Sequence, residues 1–144
     1  MWLYENKKFE PADEELKPFA GFVYLITEKK TGMKYVGKKL FWRTIKRAPL
    51  KGKKRKRIEV VQSDWQNYFG SSDAVNLLVE EFGESAFDRE IIRLCKTKGE
   101  MSYYETKEQF DREVLLRDDY YNGIIHCRIN HMHVSHMKYK TEKD

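Results

Sequence analysis

At 144 residues, with 40% hydrophobic and 14% aromatic content, the chain is long enough to build one compact domain around one core. Charged residues make up 35% of it and no long apolar run interrupts them, so no segment is expected to span a membrane. The net charge is only +5, but it is unevenly spread. Lys34, Lys38, Lys39, Arg43, Lys46, Arg47, Lys51, Lys53, Lys54, Arg55, Lys56 and Arg57 crowd into one quarter of the chain, whereas acids dominate Glu10 to Glu15. Such a basic patch is the footprint of a polyanion binder, with a solvated loop or a localisation-type basic run as the bland alternative.

The start, Met1-Trp2-Leu3-Tyr4-Glu5, lacks the pattern of a secretion signal, and Cys95 and Cys127 make no disulfide framework. Both features point to a protein acting inside the cell, in the cytoplasm. Residues 1–20 read as a polar lead-in, with a short helix over Ala12 to Lys17, that packs against the hairpin after it. That hairpin begins as two apolar runs of period two, Phe22 to Thr27 and Met33 to Gly37. They flank the polar loop Glu28-Lys29-Lys30-Thr31, which closes on Gly32 and marks the β-turn between them. With Thr27 facing Gly32, Tyr24 falls opposite Tyr35 and Phe22 opposite Gly37. The two phenols then share one face, with Cβ atoms about 5 Å apart.

Leu40 to Lys46 reads as a helical turn or two, ended by Pro49. A basic loop is expected over 48–60, and its centre, Lys51 to Arg57, has no apolar residue and is expected to order only on a partner. Ser71 to Gly83 is a well-signalled helix. Ser72 can cap it, Val75, Leu78, Val79 and Phe82 recur at helical spacing, and Gly83 suits the stop. Phe87 to Leu94 reads as a third strand, and Gly99 to Leu116 as a second long helix with Thr97/Glu100 and Ser102/Glu105 as possible capping boxes. From Tyr120 onward the chain is less regular, with a polar tail at 131–144, and no linker divides it.

The tripeptides Phe22-Val23-Tyr24 and Tyr35-Val36-Gly37, together with the order hairpin, helix, strand, helix, resemble the GIY-YIG nuclease family. Asp64 to Ser72, Glu81 to Phe87 and Tyr104 to Phe110 are similar in particular to the Seg-type free-standing homing endonucleases of phages. The likeness runs from about Phe19 to Asn130. It implies an α+β fold, a small three-stranded antiparallel sheet flanked by helices. It also implies a metal-dependent endonuclease that hydrolyses phosphodiester bonds of double-stranded DNA, acting in the host cytoplasm and with a homodimer on DNA as one way to cut both strands. Two alternatives stay open: a nucleic-acid-binding module of this fold without activity, and an RNA-directed nuclease.

Phosphodiester hydrolysis needs an activated water, a path for its proton and positive charge to meet what builds up on the phosphoryl oxygens. The resemblance implies Tyr24 as the phenol that activates water, Tyr35 as the one that orients it, and Lys38 as a phosphate contact. Gly37 has no Cβ to keep the scissile phosphate away. The arginine expected eight residues past that glycine is replaced by Ile45. Arg43, after Trp42, is taken in its place, with Arg47 as understudy and Tyr68 as a possible substitute for a missing neighbour. Glu105 is the implied metal anchor, with Glu108 as a rival ligand. One carboxylate completed by waters suits Mg²⁺, or Mn²⁺. Asn122 resembles a late asparagine that holds the site together. Lys39, Arg47, Lys53, Lys54, Arg55, Lys56 and Arg57 are expected to grip nucleic acid, and His126, Cys127, His131, His133 and His136 match no standard zinc spacing.

Overall fold

The computed structural model describes residues 1–139. In chain order its elements are β1 (Trp2–Tyr4), β2 (Lys7–Lys8), α1 (Asp13–Leu16), β3 (Gly21–Glu28), β4 (Lys34–Leu40), β5 (Trp42–Arg47), β6 (Arg57–Gln62), α2 (Asp73–Phe82), β7 (Phe87–Cys95) and α3 (Lys98–Asp111). Short 3₁₀ turns lie at Trp65–Asn67, Glu84–Ala86 and His131–Met137. The main sheet has five strands in the order β2-β1-β7-β3-β4, and β5 and β6 pair only with each other in a second sheet.

The α+β class matches expectation, but the sheet is larger than three antiparallel strands. β7, β3 and β4 do form that antiparallel core; β1 adds to β7 in parallel and β2 folds back on β1. The lead-in therefore contributes strands as well as the short helix. Glu5 and Asn6 both take positive φ, which makes the tight turn of a two-residue hairpin, and Trp2 carries its ring into the core against Phe22 and Tyr24.

The expected hairpin is present with a register two residues away from the expected one. Tyr24 lies opposite Gly37, Ile26 opposite Tyr35 and Phe22 opposite Lys39. The cause is the turn. Gly32 has φ +75° and belongs to the loop, so the last rung joins the Glu28 N–H to the Met33 carbonyl at 2.8 Å. A two-residue shift preserves face parity. Tyr24 and Tyr35 still share a face, as diagonal neighbours with ring centroids 6.3 Å apart.

β3 lies inside the sheet, between β7 and β4, and buries side chains on both faces. Phe22, Tyr24 and Ile26 join Trp2, Leu16, Phe41, Trp65, Phe69 and Val75 in a core roofed by α1 and α2. Val23, Leu25 and Val36 pack on the opposite face against Met101 of α3, with Cys95 and Val114. A bulge on β7 opposite the Val23–Tyr24 step interrupts regular pairing beside Tyr24.

α2 starts as expected, with the Ser72 hydroxyl accepting from the Val75 N–H, and stops before Gly83. α3 stops at Asp111, short of Leu116, because Glu113 turns left-handed. Thr97 caps it, whereas Ser102 lies inside the helix and caps nothing. The largest departure is at 42–47, where a strand replaces the expected helical turn. Its partner is the β-branched run Ile58-Glu59-Val60-Val61, so pairing with a distant segment overrides the local pattern. The basic loop is thus the tip of a β-ribbon. Of the tail, 140–144 lie outside the described residues.

Candidate active site

β4 is an edge strand of the main sheet, and chemistry-bearing side chains from both faces meet around its open side. A cleft of about 310 Å³ is lined by Tyr35, Lys38, Ser71, Glu105, Gln109, Asn122 and His126, with Gly123 and Ile124. Tyr35 comes from the α2 face. Its hydroxyl lies 2.9 Å from the Ser71 hydroxyl, just ahead of the α2 cap. Lys38 comes from the α3 face, where its Nζ donates to Ser102 Oγ at 2.8 Å and lies 3.9 Å from Glu105 Oε1. Glu105 therefore has no capping duty to compete with a role in the cleft.

The edge is held by amide side chains in place of a strand. Asn122, 8% exposed, accepts from the Val36 N–H at 3.0 Å and donates to the Val36 carbonyl at 2.8 Å. Gln109 donates to the same carbonyl at 3.2 Å. Nearby, Lys34 and Tyr121 bond backbone to backbone, so residues 119–122 run along β4 and seat the Asn122 amide. The other face of the Gln109 amide is different: its Oε1 is buried and has no partner. An unpaired buried acceptor costs stability unless a water or ion meets it.

Tyr24 sits deeper than expected. It is 1% exposed, and its ring lies over Gly37, where an added Cβ would come within 2.6 Å of Cζ and closer still to the hydroxyl. Gly37 is thus needed to make room for Tyr24; in this structure the phenol occupies the space through which a phosphate was expected to approach the backbone. Burial, first of all, and then the neighbouring phenols Tyr68 and Tyr35 push the Tyr24 pKa far above its ordinary value. Burial also raises that of Tyr35, opposed by its hydrogen bond with Ser71. Burial raises the Glu105 pKa too, against the pull of Lys38, His126 and the Lys38 backbone N–H.

Arg43 is on a ribbon strand, not a helix, and lines a separate cleft with Ala20, Leu40, Trp42, Thr44 and Lys98. Arg47 pairs across the ribbon with Glu59 at 2.6 Å. Glu108, the rival ligand, pairs with Arg112 at 3.0 Å. Lys39 pairs with Asp64 at 2.7 Å and lies 4.2 Å above the ring of Tyr68, which in turn packs edge-on against Tyr24. Lys53, Lys54, Arg55, Lys56 and Arg57 are exposed at the ribbon tip and its first β6 residue. The turn His131–Met137 packs against α3, with His136 at 3.2 Å from Glu100, while His126 lies in the cleft; among the described residues no three of His, Cys, Asp and Glu converge as metal ligands would.

The sequence reading did not single out Ser71 and Gln109 as cleft residues or Ser102 as the partner of Lys38, and it weighed His126 only as one of a group of possible zinc ligands. A signal existed for two of them: Ser102, Glu105 and Gln109 recur at helical spacing and form a polar stripe facing β4. His126 had none, since it arrives on an irregular segment.

A family model described as "Putative endonuclease segE, GIY-YIG domain" matches residues 2–125, most of the chain. The chain belongs to this Seg-type GIY-YIG family. No curated protein and no solved structure matches it. In this GIY-YIG domain the two signature tripeptides lie on the paired strands β3 and β4, and the match takes in the cleft-lining residues Asn122, Gly123 and Ile124, ending one residue before His126. No helix among the described residues of the GIY-YIG domain is long and apolar enough to cross a membrane.

Proposed function

We propose that this GIY-YIG domain is a metal-dependent endonuclease that hydrolyses DNA phosphodiester bonds in the cleft at the edge of β4. The observation that carries this reading is the convergence of Tyr35, Lys38, Glu105 and Asn122 on one cleft from three separate parts of the chain. The residues suit a hydrated Mg²⁺ or Mn²⁺. Glu105 offers a carboxylate that burial has left poorly neutralised, and Gln109 Oε1 offers an unused acceptor for a bound water. Bound there, such an ion would supply positive charge to the phosphoryl oxygens and acidify a water.

The chain's own groups do the rest. Tyr35, steadied by Ser71, presents its hydroxyl to the attacking water and orients it. Tyr24 is too buried to meet substrate and acts as a positioning residue, packed against Tyr35 on one side and Tyr68 on the other. Lys38, held by Ser102, contacts the phosphate and supplies cationic charge at the cleft, which His126 also lines. Asn122 and Gln109 hold the β4 backbone that carries Tyr35 and Lys38. The ribbon-tip cations grip the DNA backbone, and duplex cleavage results from a homodimer or from two successive nicks.

Conversion of supercoiled plasmid with Mg²⁺ or Mn²⁺ tests this. Glu105→Ala and Tyr35→Phe are expected to lose about 100-fold or more in rate while DNA binding persists. Tyr24→Phe is expected to lose less, because its hydroxyl meets no substrate. Equal cleavage by wild type, Glu105→Ala and Tyr35→Phe would sink the site. A second reading, a binding module of this fold without activity, draws on Arg43 lining a different cleft. DNA binding with no nicking under Mg²⁺, Mn²⁺ or Co²⁺ would favour it.

A further inference from the structure

The β5–β6 ribbon is unlike the rest of the molecule in both packing and charge. Neither of its strands pairs with the main sheet. Its base is fixed: Phe41 is buried in the core, Trp42 Nε1 donates to the Phe19 carbonyl at 2.9 Å, and Ser63 bonds the Phe41 and Leu40 carbonyls at 2.7 and 2.6 Å. Beyond the base, Ile58 is 70% and Val60 63% exposed. Cross-strand pairing puts Thr44 opposite Val60 and Lys46 opposite Ile58, so these four form one face, while Arg43, Arg47 and Arg57 lie on the other.

Residues 42–62 hold nine cations and one acid, Glu59, already paired with Arg47. The ribbon alone thus carries a net charge of +8, more than the chain's net of +5, and the remainder of the protein is net acidic. A lone ribbon with bare β-branched residues is only marginally stable in water. Something of opposite charge that also offers apolar contact would complete it. A second copy of the ribbon is disfavoured by repulsion between two such charge sets.

We propose that the β5–β6 ribbon is a sequence-reading element that lays the Thr44, Lys46, Ile58 and Val60 face into the major groove of B-form DNA while its tip cations hold the flanking phosphates. The DNA major groove is about 12 Å wide and admits a two-stranded ribbon; the strands are about 5 Å apart and six residues span about 20 Å. Methyl-bearing Thr44, Ile58 and Val60 suit thymine methyl groups, and Lys46 suits guanine O6 and N7. The deep, narrow major groove of duplex RNA would not admit the same face, so the ribbon selects DNA. This inference deepens the nuclease reading by placing base readout on the ribbon, apart from the cleft.

The test uses the full chain in EDTA, so that binding is measured without cleavage. Selection from a randomised duplex pool should enrich a short motif with wild type, and Thr44→Ala/Val60→Ala should lose that motif while its affinity for unselected duplex changes less than about threefold. Replacing Lys53, Lys54, Arg55 and Lys56 by Ser should weaken all sequences alike and flatten the slope of log K against log salt by about 3 to 4. Methylation of guanine N7 should weaken wild-type binding, a measurement that needs no variant. An unchanged motif in the double variant, indifference to N7 methylation, or equal binding of matched RNA duplex would each overturn the proposal. A chain that reads DNA in this way without cutting it would retain the ribbon's role and lose the nuclease reading; one that cuts without such readout would do the reverse.

Discussion

Gly37 and Tyr24 act as one unit, since the glycine exists where the phenol must pass. Gly37→Ala is expected to cost about 1–3 kcal/mol through overpacking, read as a lower melting temperature, and Tyr24→Phe in the same chain should restore part of it by removing the nearest atom. No recovery in the double variant would mean that the clash lies elsewhere. Glu105 shows the opposite balance, a group kept at a cost to folding. Its pKa is raised in the folded state, so the penalty is absent below its unfolded value and grows as pH rises through the folded one. Glu105→Gln should therefore melt above wild type at neutral pH, with the gain shrinking towards pH ~4. Mg²⁺ should raise the wild-type melting temperature and leave that of Glu105→Gln unchanged, by linkage.

β4 depends on side chains for its free edge. Asn122→Ala would leave both the Val36 N–H and one acceptor site of its carbonyl unpaired, at about 1–3 kcal/mol, and hydrogen exchange at the Val36 amide should quicken markedly. α2 and β7 were readable from local pattern because cap, period and stop agree: Ser72, the Val75-Leu78-Val79-Phe82 stripe and Gly83 for the helix, the apolar run for the strand. β5 was not readable in this way. Leu40, Phe41, Trp42 and Ile45 suit one helical turn as well as a strand, and the partner that decides between them begins ten residues past its end. β1 was hidden for the same reason, since its parallel partner Arg89 lies far along the chain from Trp2.

The protein as a whole divides its labour, with an acidic body holding the cleft and a basic ribbon reaching outward. The described residues of a chain form one such cleft, so nicked circles should accumulate before linear plasmid, and the ratio of linear to nicked product should rise with protein concentration if a homodimer forms on DNA. Linear product from the outset, independent of concentration, would contradict one cleft per chain.

The order of residues alone was enough to identify the hairpin with its two phenols on one side, the capped helix α2, strand β7, a second long helix carrying Glu105 and the family, because each rests on short-range periodicity or on local motifs. The folded chain was needed to show that the register moves by two, that Tyr24 is buried over Gly37 while Tyr35 faces the cleft, that Arg43 lies apart from Glu105, and that the basic loop is the tip of a ribbon. Those outcomes depend on pairing and burial between segments distant in the chain, and local propensity carries no information about which distant partner wins.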